Sequence, residues 1–138
     1  MRRGGLAGLA LLLSAAGAES SSCLPPDVGT PMSATTSGPV AAALRFSPAT
    51  VKVGSPFVID ISVCSLNNAR IERLAIDARM PAHRHGMNYK PEIASKGDGS
   101  YQARGFLFHM PGKWEITLSV TGAAGGKPQY LTLELDVR

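Results

Sequence analysis

From Leu44 onward, large apolar residues recur at every second position, the repeat that a half-buried β-strand requires because successive side chains point to opposite faces. Leu44 and Phe46 open the series. Phe57, Ile59, Ile61 and Val63 alternate with Val58, Asp60 and Ser62, and Leu74, Ile76, Ala78 and Met80 alternate with Arg73, Ala75, Asp77 and Arg79. Trp114, Ile116, Leu118 and Val120 alternate with Glu115, Thr117 and Ser119; Leu131, Leu133, Leu135 and Val137 alternate with Thr132, Glu134 and Asp136. Tyr101 to Met110 follows a Gly97-Asp98-Gly99 turn and reads as a further strand, joined through Pro111-Gly112 to the Trp114 strand as a hairpin. No window of a dozen residues carries the i, i+3, i+4 pattern of a helix. Six or seven short strands in about 95 residues predict an all-β domain over 41–138, an immunoglobulin-like β-sandwich of about seven antiparallel strands. Trp114 falls on the inward face, where its indole N–H needs a partner.

The first 40 residues break this pattern. Met1-Arg2-Arg3 followed by the apolar run Leu6 to Ala18, ending in Ala16-Gly17-Ala18, has the charged start, short apolar stretch and small-residue cleavage site of a secretory signal peptide over 1–18. Residues 19–40 are Ser, Thr, Pro and Gly with few large apolar side chains, and read as a flexible arm. No second apolar stretch approaches the length needed to span a bilayer, so no stable membrane span is expected once the leader is removed. Export predicts a periplasmic or secreted protein, and an oxidising compartment favours a bridge between the two cysteines, Cys23 and Cys64. Closing a loop of about 40 residues stabilises by roughly 4 kcal/mol in the chain-entropy description. The alternative, a lipid-modified Cys23, has Ser20-Ser21-Ser22 where a lipoprotein signal carries an aliphatic residue.

Composition removes several functional classes. Of 14 basic residues two are Arg2 and Arg3 of the leader, which leaves 12 against 10 acidic, scattered rather than clustered; no nucleic-acid partner is expected. No G-x-S-x-G is present, the cysteines are expected to be paired, and Asp77, Glu115 and Asp98 read as solvent-face or turn residues, so the chain is read as non-enzymatic.

All three histidines, and three of the four methionines beyond the leader, fall in two windows: Met80-Pro81-Ala82-His83-Arg84-His85-Gly86-Met87-Asn88-Tyr89 and Phe108-His109-Met110-Pro111-Gly112. In an extended chain His83, His85 and Met87 share one face at about 7 Å spacing, and a bend at Gly86 would let them converge. Imidazoles with a thioether form a borderline-to-soft donor set that suits copper, above all Cu(I), rather than the oxygen-seeking Mg or Ca. His109 or Met110 would complete the site; a regular strand points the two to opposite faces, so only one of them can. A structural reading of the same residues stays open, with Met80 and Met110 filling the end of the core and Gly86-Met87-Asn88 serving a turn.

The run DARMPAHRHGMNYKPEI, followed by GDGSYQARGFLFHMPGKWEITLSV, resembles the YtkA-like and FixH-like family of small exported or membrane-tethered bacterial domains. The matching positions are Met80-Pro81, His83, His85-Gly86-Met87, Gly99-Ser100-Tyr101 and Met110-Pro111-Gly112-Lys113-Trp114, within a resemblance covering roughly Val51 to Val137. It implies a sandwich, an extracytoplasmic location and a link to copper handling or cytochrome oxidase maturation. FixH-type members keep a transmembrane N-terminus, whereas this chain carries a cleavable-looking leader. The expectation is therefore a periplasmic copper chaperone or carrier with His83, His85, Met87, His109 and Met110 as ligands. Two alternatives remain: a metal-free interaction module for a periplasmic or inner-membrane redox protein, and a small-ligand binder with a pocket around Trp114, Phe106 and Phe108.

Overall fold

The structure, a computed structural model, describes residues 23–24, 33–122 and 126–138. The leader over 1–18 and most of the arm over 19–40 lie outside these residues. Nine strands form among them: β1 (Ser33–Ser37), β2 (Val40–Ser47), β3 (Phe57–Ser65), β4 (Arg73–Met80), the two-residue β5 (His85–Gly86), β6 (Glu92–Gly97), β7 (Ser100–Phe106), β8 (Gly112–Thr121) and β9 (Gln129–Val137). All pair antiparallel, in a five-stranded sheet of order β1-β2-β3-β7-β6 and a four-stranded sheet of order β5-β4-β8-β9. The two-sheet all-β sandwich predicted from the alternation is the fold of the chain.

The alternation works as read. β4 buries Leu74, Ile76, Ala78 and Met80 and exposes the residues between them; β8 buries Trp114, Ile116, Leu118 and Val120. These side chains meet Val40, Ala42, Leu44, Ile59, Ile61 and Val63 of the facing sheet in one continuous core. At roughly 1.5–3 kcal/mol for each large side chain withdrawn from water, that core is the main stabilising contribution.

Three features differ from the sequence reading. Residues 33–37, assigned to the arm, are strand β1, paired with Val40–Leu44 of β2; the backbone ladder at the sheet edge supplies the order. Glu92–Gly97, unassigned in the sequence, is edge strand β6 and forms the hairpin with β7. The expected hairpin of 101–110 with the Trp114 strand does not form. β7 stops at Phe106, and residues 107–111 carry the chain across to the four-stranded sheet, where β8 pairs with β4 and β9. A Pro-Gly turn fixes a local reversal, not the sheet that receives the next strand.

Cys23 and Cys64 are disulfide-bonded with Cα atoms 5.9 Å apart, inside the usual range for such a bridge. Both sulfurs are therefore engaged, which sets aside the lipid-modified Cys23. The bridge lies at the end of the sandwich where β3 finishes, beside Gly99 of the β6–β7 turn. Val63 N–H donates to Gly99 O at 2.8 Å and Leu66 N–H to Pro39 O at 2.7 Å, tying that end together.

Candidate metal centre

The two His/Met windows meet at the opposite end. After Met80, Pro81 opens a single turn of 3-10 helix over Pro81–His83, closed when Arg84 N–H donates to Pro81 O at 3.3 Å. Arg84 then takes a left-handed backbone, φ 54°, which folds the chain back so that His85–Gly86 pairs with Arg79–Met80 as β5. The segment is thus not the extended strand expected from His-x-His spacing. Proline supplies the φ that starts the turn, and the turn brings the rings of His83 and His85 to 5.8 Å between centroids, closer than alternation would allow.

The second window arrives on the crossover between sheets. Gly54 N–H donates to Phe108 O at 2.8 Å, which fixes the crossover against the 48–56 loop. Trp114, fully buried, donates its indole N–H to Met110 O at 3.0 Å, the partner its burial requires. His109 is left exposed, with its ring 5.2 Å from that of His85. Because 107–111 is not a strand, His109 and Met110 are not simple opposite-face neighbours: His109 joins His85, whereas Met110 is half-buried and packs on the core. Met87 packs in the same way, and Met80 is buried under Gly112. Gly112 adopts φ 127°, and a Cβ there would sit 2.9 Å from Met80 Cε, so glycine leaves the room that the thioether fills.

His85 is the centre of the cluster. Its Nδ1 lies 3.1 Å from Gly86 O; a carbonyl can only accept, so this bond places the proton on Nδ1 and leaves the Nε2 lone pair for a ligand, the arrangement that metal-binding histidines adopt. An imidazole nitrogen binds a metal at about 2.0–2.1 Å, which sets two rings on one ion about 5–6 Å apart between centroids. Both His83/His85 and His85/His109 satisfy that spacing. Among the described residues, however, no three His, Cys, Asp or Glu side chains are arranged to hold an ion. In this arrangement the imidazoles supply two ligands at most, and the methionines of the same windows, Met87 and Met110, lie half-buried against the core.

Trp114 belongs to the site as well as to the core, which the sequence reading did not anticipate. Its indole stands edge-on to His85 at 5.9 Å and to His109 at 5.7 Å, and stacks on Phe108 at 4.2 Å. The signals in the sequence were its place two residues after the Pro-Gly that follows His109-Met110 and its membership of the Met110-to-Trp114 motif. Phe106, Phe108 and Trp114 are at most 1% exposed; Phe106 stacks on Phe57, Phe108 tilts against it and Trp114 stacks on Phe108, so they are core rings. Among the described residues no helix is long and apolar enough to cross a membrane. Comparison with protein-family models, curated proteins and solved structures finds no match to this chain, so the YtkA-like and FixH-like resemblance rests on the motif residues themselves.

Proposed function

We propose that the protein binds one copper ion, as Cu(I), at the His/Met end of the sandwich and serves as a chaperone or carrier in an extracytoplasmic compartment. The observation that carries this reading is the approach of His109 to His85, two residues from windows 24 positions apart, at the ring spacing of a shared ion. Thioethers at Met87 and Met110 complete a soft donor set, which favours Cu(I) over hard cations. With His83 and His109 exposed and the methionines half-buried, the ligands are open to exchange with an acceptor, as a carrier needs and a closed structural site does not. The disulfide supports an oxidising compartment.

Titration of Cu(I) into single-alanine variants tests the arrangement. Because His85 lies between the other two rings, His85→Ala should weaken binding most, beyond the about 10–100-fold that loss of an outer-shell partner costs. His83→Ala and His109→Ala should each cost less, because either ring can pair with His85. Equal affinity in wild type and in the double variant His83→Ala/His85→Ala would refute the proposal.

A further inference from the structure

The four-stranded sheet ends in a strand that is only partly paired. β5 covers Arg79 and Met80 of β4, and among the described residues no strand pairs with Arg73 to Ala78 on that side. The backbone groups of a strand point alternately to its two neighbours. Ala78 faces the open side: its carbonyl lies by Gly86, and its N–H donates to Asp77 Oδ1 at 2.8 Å. By the same alternation the N–H and C=O of Leu74 and Ile76 point into that open lane. Leu74 and Ile76 are also the most exposed members of the core among the described residues, at 8% each. A groove of about 380 Å³ lies beside Ile76 and Asp77, bounded on its other side by Gly86, Met87, Tyr89 and Pro91.

We propose that this edge pairs with the same edge of a second copy of the chain, joining the two four-stranded sheets into one continuous sheet across a two-fold axis. An isologous contact of this kind has to be self-complementary, and antiparallel pairing requires edge-facing residues to oppose edge-facing residues. Centred on Ala75, the pairing sets Arg73 opposite the partner's Asp77, twice, on the solvent face. Leu74 then lies opposite the partner's Ile76 on the core face. Small Ala75 meets itself at the axis. The neighbouring registers fail. Centring on Ile76 opposes Arg73 to the partner's Arg79 and runs into β5, which already occupies Arg79; centring on Asp77 sets two carboxylates face to face; centring on Leu74 forms no charge pair. Charge complementarity and the space left by β5 together select one register. In the single chain the Asp77 carboxylate caps the Ala78 N–H and masks one donor of the edge. In the pair it turns to the partner's Arg73. The residues that pair, Arg73 to Asp77, include no proposed copper ligand, and Met87 only lines the groove beside them, so the dimer stands or falls apart from the metal reading.

Sedimentation velocity on the metal-free protein, from low micromolar to about 0.5 mM, tests the pairing. The expected result is a concentration-dependent dimer that either Asp77→Arg or Arg73→Asp weakens about tenfold through opposed like charges, and that the double variant Arg73→Asp/Asp77→Arg restores. Amide exchange at Leu74 and Ile76 in the wild type is a second readout, expected to slow as concentration rises. A monomer at every concentration, a dimer indifferent to the charge reversals, or exchange at those amides that does not change with concentration would overturn the proposal.

Discussion

The two ends of the sandwich are built on different terms. At one end the chain is fastened covalently by Cys23–Cys64 and by the backbone bonds of Val63 to Gly99 and Leu66 to Pro39. At the other, residues 81–91 and 107–111 are held by the two-residue pairing of β5 with β4 and by the bonds of Arg84 to Pro81, Trp114 to Met110 and Gly54 to Phe108. Among the described residues the fastened end carries neither His nor Met. The lightly held end gathers all three histidines and three methionines. Ligand exchange needs side chains that can shift, and segments with few backbone bonds open at low cost; the cross-link stabilises the domain from the end where no movement is needed.

Three changes probe this contrast, in order of decreasing effect. Replacing both cysteines by serine should lower unfolding free energy by roughly 4 kcal/mol, measured by denaturant titration, while Cu(I) affinity of the folded fraction stays within about twofold because the bridge lies at the far end. An affinity that fell with the bridge would join the two ends into one unit. Trp114→Phe should keep most of the ring burial but remove the indole N–H from Met110 O, costing about 1–3 kcal/mol and loosening residues 109–112; nuclear magnetic resonance of the His109 ring should report the change, with the His83 ring unaltered. The smallest effect is on the rim of β8 and β9. There Lys113 donates to Glu134 at 3.0 Å, and its pKa is held above 10.5 by that hydrogen bond first, then by the charges of Glu134 and Asp136. A raised lysine pKa stabilises the folded state fully below the unfolded value and loses that contribution as pH rises through the folded one. Thermal melts of wild type and Glu134→Gln should therefore differ slightly at neutral pH and converge as pH rises through the raised lysine pKa.

The sandwich was legible in the sequence where strands have one buried and one wet face. Leu74 to Met80 and Trp114 to Val120 announce themselves because every second residue enters the core. β6 does not, because within it only Ile93 packs on the core; β1 does not, because it is ordered by its ladder to β2. The hairpin expected across Pro111-Gly112 failed for a physical reason outside its own residues. Gly105 at φ 85° and the stacking of Phe108 on Trp114 turn the chain between sheets, and only the assembled core specifies that turn. The candidate site shows the same division. His83, His85, Met87, His109 and Met110 were readable as a donor set from composition and spacing. The meeting of the three histidine rings depended on the crossover and on the left-handed Arg84, which no periodicity encodes.

The most direct test of the copper reading is an anaerobic titration of Cu(I) into the purified wild-type protein against a competing chromophoric chelator. One equivalent bound tightly enough to strip the chelator is the expected result. Failure to compete at any protein excess would contradict it and return the histidines and methionines to turn and core duty.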